Sequence, residues 1–248
     1  VGIDVGGTFT DIVLYNLSNK KYEVFKTPST PQDPSIGFMS GLRDILEKNH
    51  VKSEQISHIF HGTTTATNAI LESNGADVGV LVTEGFKFVL EIGRHGTPRL
   101  VNPNSWIKPA RPVKPRDIFE IPGRISVDGE IILPLNELSI VEATRKFKSQ
   151  GKSAIAVSFI HSYSNNSHEL RAKELILEQY PEASVSLSSE VLAVFREYER
   201  TITTVLNAYV SPKVSSYIRN LQKGLSELSI DASLSIMKSN GGMVGLDV

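Results

Sequence analysis

Near its start the chain reads Asp4-Val5-Gly6-Gly7-Thr8-Phe9-Thr10-Asp11, a double glycine set between two short apolar runs. Strands joined this tightly pair antiparallel, so the first thing the chain builds is a hairpin. Glycine admits positive φ and lets a ligand approach without meeting a Cβ, so successive N–H groups at such a turn can converge on an anion. Thr8 and Thr10 add hydroxyl donors, and Asp4, leaving the first strand, is placed to hold a metal ion through water. The same string is also an ordinary hairpin, for which Gly-Gly is a standard turn pair. From these residues alone both readings stay open.

Two other nucleotide signatures fail on the same residues. A Walker loop requires Lys-Ser or Lys-Thr directly after its last glycine, and here Phe9 follows Thr8. A Rossmann turn requires a third glycine where a helix begins, and residues 10–15 read as a second strand. A phosphate turn between two antiparallel strands is the feature shared by acetate kinases, sugar kinases, Hsp70 and actin. The segment resembles that group, which implies an α/β chain of the ribonuclease H-like, actin-like ATPase type: a mixed sheet with an additional α/β unit.

With 248 residues, 40% of them hydrophobic, the chain has ample core for one or two domains. A net charge of -1 gives no electrostatic case for nucleic acid or an anionic membrane as the main partner. No apolar run approaches the ~20 residues that span a bilayer, and the first residues read as a strand rather than a signal peptide, so the expected location is cytoplasmic. The absence of cysteine removes disulfides, thiolate nucleophiles, iron–sulfur ligation and thiolate zinc sites. Among actin-like relatives it excludes the activators of 2-hydroxyacyl-CoA dehydratases, which hold an iron–sulfur cluster by cysteines. None of the six histidines stands in a metal-ligand spacing.

Residues 22–26 make a third strand and residues 27–34 a proline-rich loop. A helix follows, with Asp33 as N-cap and Pro34 at its first position. Residues 56–60 read as a short buried strand that delivers His61-Gly62-Thr63-Thr64-Thr65-Ala66-Thr67-Asn68-Ala69 to the start of another helix. Ligands of open α/β sheets gather beyond the carboxyl ends of strands and helix N-termini favour anions, so residues 61–65 are a candidate site. Threonines also cap helices, and a histidine at a strand end is commonly structural. Residues 78–82 form another buried strand. From residue 94 to 122 the chain is proline-rich and holds the only tryptophan, Trp106, as an active-site loop or an interdomain excursion. Residues 118–135 read as a hairpin turning at Asp128-Gly129. Helices are expected over 136–150 and 167–179, strands over 154–159 and 184–187, and one long helix over 198–228, broken near Pro212. This alternation marks a parallel α/β unit. The expected segments are 1–95, the first part of the ATPase core; 96–135, the excursion; and 136–248, an α/β unit leading toward a second half.

Six blocks then line up in order: VGIDVGGTFTDIVL from residue 1, HGTTTATNAILE from 61, VTEGFKFVLEIGR from 82, AVSFIHSYSNNSHE from 156, SSEVLAVFREYERTITTVLNAYVSP from 188 and SNGG from 239. Together they resemble the N-terminal part of the hydantoinase A and 5-oxoprolinase family, which includes acetone and acetophenone carboxylase subunits. The resemblance covers nearly the whole chain. It implies ATP-dependent opening of a cyclic amide, such as a hydantoin or 5-oxoproline, by phosphorylation of the ring carbonyl oxygen, or ATP-driven ketone activation in the carboxylase relatives. ATP and Mg²⁺ are the implied cofactors. Gly6, Gly7 and Thr8 would hold the β- and γ-phosphates and Asp4 would anchor Mg²⁺, with Thr10 and Asp11 as further nucleotide-side candidates.

On the substrate side the candidates are His61, Thr63, Arg94, Glu197 and Arg200. His61 would orient a carbonyl or move a proton near neutral pH, and Arg94 would hold a carboxylate or phosphate in a bidentate fork. The run Arg196-Glu197-Tyr198-Glu199-Arg200-Thr201 also reads as helical ion pairs in solvent. The implied partners are a small cyclic amide and a B-type hydantoinase subunit, with an oligomeric full-length protein. The family continues for several hundred residues past Asn240-Gly241-Gly242-Met243, and no second Asp-x-Gly-Gly-Thr turn occurs here. The chain is therefore expected to carry half of a nucleotide cleft and to hydrolyse ATP weakly or not at all by itself. Three alternatives remain. One is a small-molecule kinase, although sugar and acetate kinases lack the HGTTTATNA and EYERT blocks. The others are an ATP-gated chaperone of the Hsp70 type and a structural subunit of a carboxylase complex.

Overall fold

The computed structural model describes residues 1–30, 32–94, 102, 105 and 113–245, so Trp106 and most of the proline-rich stretch lie outside the described residues. In chain order the elements are β1 (Gly2–Val5), β2 (Phe9–Tyr15), β3 (Tyr22–Pro28), α1 (Pro34–Lys48), β4 (His58–Thr63), α2 (Thr65–Leu71), β5 (Val78–Thr83) and α3 (Val89–Ile92). There follow β6 (Ile118–Ile121), β7 (Arg124–Ile125), β8 (Ile131–Leu133), α4 (Glu137–Ser149), β9 (Ala154–Ser158), α5 (Ser167–Gln179), β10 (Ser184–Leu187), α6 (Ser188–Val191), α7 (Glu197–Glu227), β11 (Ser233–Met237) and β12 (Met243–Gly245). Two compact units result, one made of Val1–Ser73 and Lys213–Val248, the other of Asn74–Pro212. The first unit thus draws on both ends of the chain, whereas the segments expected from the sequence are consecutive. Among the described residues no helix is long and apolar enough to cross a membrane.

The first unit holds a mixed sheet in the order β12-β11-β4-β1-β2-β3. β1 pairs antiparallel with β2 and parallel with β4, and β4 pairs parallel with β11. Alternation along β1 sends Ile3 and Val5 into the core and leaves Asp4 exposed. α1 begins as expected: Asp33 accepts the Ser35 N–H at 3.0 Å, with Pro34 in the first turn. Its Phe38, Leu42 and Ile45 recur at helical spacing and meet Ile12, Ile59 and Leu221 in one core. Gly41 permits the approach, since a Cβ there would stand 2.2 Å from Ile12 Cδ1.

The second unit is built on a parallel sheet in the order β10-β9-β5-β6. Every residue of β5 is buried, as a strand covered on both faces requires. Leu81, Ile155 and Val157 face Ile140 and Phe147 of α4 and Ile176 of α5. Val80, Val82 and Ala156 face Val205 and Ala208 of α7. At the amino ends of its strands the buried Lys152 ammonium meets Asp77 at 3.0 Å and Asp117 at 3.2 Å. The mixed sheet and the additional α/β unit are the fold class expected from the sequence.

Two local expectations change. The expected hairpin over 118–135 is shorter: β6 joins the parallel sheet beside β5, and only β7 and β8 pair around Asp128-Gly129. The long helix does not break at Pro212. Proline removes one intrahelical N–H, but packing holds both flanks, at Val205 and Ala208 before it and at Tyr217 and Leu221 after it.

A polar residue of the first core is His61, which is fully buried on β4. Its Nδ1–H donates to the Ile3 carbonyl at 3.1 Å, and its Nε2 accepts the Tyr217 hydroxyl at 2.8 Å. The ring of Phe38 meets it edge-on at 5.1 Å. Burial pushes the His61 pKa below its ordinary 6.5, against opposing effects of the Ile3 bond and the Asp4 charge, and pushes the Tyr217 phenol upward. Both groups are neutral. Tyr217→Phe leaves Nε2 buried without a donor and is expected to cost about 1–3 kcal/mol of unfolding free energy in denaturant titrations. Because unfolded His61 takes a proton first, its contribution is whole above about pH 6.5 and is lost as pH falls toward the folded value. The stability gap between wild type and His61→Asn should therefore narrow between about pH 7.5 and about pH 5, measured by urea unfolding.

Candidate functional site

The glycine turn between β1 and β2 is closed by the Gly6 N–H, which donates to the Phe9 carbonyl at 3.0 Å. Neither glycine has a positive φ, so handedness is not what the turn asks of them. Close approach is: a Cβ on Gly6 would lie 3.1 Å from the Phe9 oxygen. The expected donor set changes accordingly, because the Gly6 N–H is spent inside the turn. Gly7 and Thr8 are exposed and lie outside the β1–β2 ladder, so their N–H groups are the ones available to an anion. The Thr8 carbonyl accepts the Ser29 N–H at 2.9 Å, which ties the turn to the loop after β3.

Parallel pairing of β1 with β4 sets Val5 beside Thr63, bringing the HGTTTATNA block to the glycine turn. There Gly6 and Gly7 share a recess of about 70 Å³ with Thr64, Thr65 and Asn68, walled on its other sides by Thr30, Glu72 and Lys213. Asn68 Nδ2 donates to Thr64 Oγ1 at 3.1 Å and stands 3.9 Å from where a Gly7 Cβ would be. Ordinary small-molecule pockets hold about 300–1,000 Å³, so this recess suits one small group such as a phosphoryl. A larger hollow of about 820 Å³, walled by Leu225, Ile230 and Leu234, shares no residue with the turn.

Asp4 lies on the exposed face of β1, directly opposite Gly62 of β4. A Cβ on Gly62 would stand 2.9 Å from Asp4 Oδ1, so this glycine makes the room in which the carboxylate sits. The motif blocks do not single out Gly62 as a site residue. Its signal is visible only once the two strands are paired. Among the described residues no group of three or more His, Cys, Asp or Glu side chains is placed to hold a metal ion. A single exposed carboxylate fits the way Mg²⁺ is commonly held, by one protein carboxylate together with phosphate oxygens and water.

The remaining nucleotide-side candidates divide between the two faces of β2. Thr10 is fully buried with its Oγ1 3.0 Å from Ser29 Oγ, and Asp11, on the opposite face of β2, pairs with Lys26 at 3.0 Å. The two-residue period of a strand separates them: Thr10 turns into the core beside Val5, whereas Asp11 stands directly opposite Asp4 on the other face of the sheet. His61, with both ring nitrogens engaged in the core, is placed to position β1 and β4 rather than to touch a substrate. Thr63 Oγ1 lies 2.8 Å from Thr65 Oγ1 and accepts the Thr65 N–H at 3.2 Å, a turn that starts α2.

Arg94, Glu197 and Arg200 belong to the second unit. The Arg94 guanidinium pairs with Glu199 at the surface. Arg200 is buried instead of solvent-paired: it donates to the Val194 carbonyl at 3.1 Å and the Phe159 carbonyl at 2.8 Å, over the ring of Tyr163. Burial lowers its pKa against the raising effect of Glu169, a carboxylate itself fixed by the Phe159 N–H and the Ser188 hydroxyl. Arg200 therefore clamps backbone. Glu197 is exposed in the first turn of α7.

Residues 1–180 match the hydantoinase/oxoprolinase N-terminal region and residues 200–247 match hydantoinase/oxoprolinase. The caprolactamase subunit alpha of Pseudomonas jessenii is 37% identical over 98% of this chain and 36% of its own length. A 5-oxoprolinase of Dictyostelium discoideum is 31% identical over 99% of this chain and 22% of its own. The crystal structure of the ATP-dependent caprolactamase from Pseudomonas jessenii superimposes with a TM-score of 0.86 at 36% identity, covering 98% of this chain and 36% of that one. A nucleotide-free acetone carboxylase structure shares the fold, with a TM-score of 0.89 at 23% identity over 100% of this chain and 37% of that one. The chain thus spans roughly a third or less of the length of these relatives. With the glycine turn, the HGTTTATNA block and the mixed sheet in place, the chain belongs to the hydantoinase/oxoprolinase family.

Proposed function

We propose that this chain is the phosphate-holding N-terminal part of an ATP-dependent enzyme that opens a cyclic amide. The observation that carries the reading is the recess where Gly7, Thr64 and Asn68 meet at the carboxyl ends of β1 and β4. An amide carbonyl is a poor electrophile because nitrogen donates into it. Transfer of the ATP γ-phosphoryl group to its oxygen, with ADP leaving, would give an imidate-like phosphate that water attacks. The ring C–N bond would then break with the nitrogen taking a proton, and hydrolysis of the resulting acyl phosphate would release free phosphate. The residues on this chain would do the positioning and charge work on which phosphoryl transfer depends. The Gly7 and Thr8 N–H groups and the Thr8 hydroxyl would hold phosphate oxygens. Asp4 would hold Mg²⁺, with Gly62 giving its carboxylate room. Family relatives described as ATP-dependent caprolactamase and 5-oxoprolinase support this chemistry. A relative named as a subunit alpha supports a partner subunit, which we take to be of the B type.

The full-length protein with its partner subunit, given ATP and a panel of hydantoins and lactams, is expected to release free phosphate in step with ring opening. A stable phosphorylated metabolite would show a kinase, substrate-independent turnover a chaperone, and ketone-dependent turnover a carboxylase. Residues 1–248 alone should hydrolyse ATP weakly or not at all. Gly7→Val places a side chain in the mouth of the recess and should cut ATP turnover of the full-length protein by about 100-fold or more. Because the nearest atom to a Cβ at Gly7 is 3.9 Å away, its stability should stay within about 1 kcal/mol of wild type in denaturant titrations.

A further inference from the structure

On α7, Lys213, Tyr217, Asn220 and Gly224 follow one another at spacings of three and four and so share one face of the helix. Three of the four are fixed against other elements of the first unit. Tyr217 bonds His61 at 2.8 Å, Asn220 Nδ2 donates to Asp33 Oδ2 at 3.1 Å, and Gly224 lies so close to Met39 that a Cβ would stand 2.8 Å from its sulfur. These contacts on successive turns set the direction of the face. Lys213, one turn before Tyr217, is thereby delivered half-buried into the wall of the recess that holds Gly6, Gly7, Thr64 and Asn68. It is the basic side chain of that wall and Glu72 is the acidic one.

The turn itself offers N–H dipoles and hydroxyls, and Asp4 beside it is negative. A phosphoryl group held there needs a full positive charge, which a compact ammonium with three donors supplies. We propose that Lys213 is this charge, a binding residue for the terminal phosphates of a nucleoside triphosphate. The inference rests on the nucleotide reading of the glycine turn given above. It places the cation of the site on α7, a segment far in sequence from the turn.

The test is calorimetric binding of AMP-PNP and of AMP to the full-length protein and its Lys213→Met and Lys213→Arg variants, with thermal melts alongside. Lys213→Met is expected to weaken AMP-PNP binding by about tenfold or more while AMP binding stays within about twofold, and Lys213→Arg to recover most of the loss. Unchanged AMP-PNP affinity in Lys213→Met overturns the proposal. Equal losses for AMP-PNP and AMP overturn it as well, since they would mean that the side chain only supports the helix. If Lys213→Met melts early, Lys213→Gln is read by the same criteria. Failure of the underlying reading looks different: wild type that binds no AMP-PNP, or Gly7→Val that binds it as wild type does, removes the phosphate turn itself. Intact binding by wild type, loss in Gly7→Val and no change in Lys213→Met removes Lys213 alone.

Discussion

His61 is bonded at both ring nitrogens, to the Ile3 carbonyl on one side and the Tyr217 hydroxyl on the other, and so joins three stretches of chain that are distant in sequence. Ile3 precedes Asp4, His61 precedes Gly62, and Tyr217 lies one helical turn beyond Lys213. A buried imidazole with either bond missing would leave a polar atom dry, which costs about as much as a core packing defect. The bond pair therefore holds β1, β4 and α7 in one relation. The position of Asp4 against Gly62, and of the glycine turn against Thr64 and Asn68, follows from it.

The glycines serve this arrangement by what they lack. Gly6 lets the turn close on the Phe9 oxygen, and Gly62 leaves space for the Asp4 carboxylate. A side chain at either place would push apart groups that the proposed phosphate and its metal need close together. The recess that results is small, as suits the single phosphoryl group proposed for it. The second unit contributes a different kind of order. Its buried Lys152 and Arg200 are held by carboxylates and carbonyls at the two ends of the parallel strands, and both secure the framework.

Strong local signals are legible in the residues themselves. Asp33-Pro34 marks the start of α1, the turn pair Asp128-Gly129 marks a hairpin, and the apolar run over 78–82 marks β5 as a strand covered on both faces. Each depends on neighbours within a few residues. Less is legible where a distant partner decides. Pro212 reads as a break, yet packing on both sides carries α7 through it. The polar residues Thr10, His61 and Arg200 read as reactive, yet each is buried against a group supplied from elsewhere in the chain. Residue type shows that a side chain can do chemistry. Only its surroundings show whether it is free to.

By itself the sequence determined the hairpin at the glycine turn, the class of fold and the family, because turn chemistry, hydrophobic period and ordered motif blocks are written in adjacent residues. The tertiary structure decided which members of those blocks meet at the recess. Parallel pairing of β1 with β4 chose Gly62, Thr64 and Asn68 as neighbours of the turn, strand alternation turned Thr10 into the core and set Asp11 on the face of Asp4, and the seating of α7 brought in Lys213. The physical reason is that a site is made by the register of elements far apart in sequence, and register is set by the burial they share.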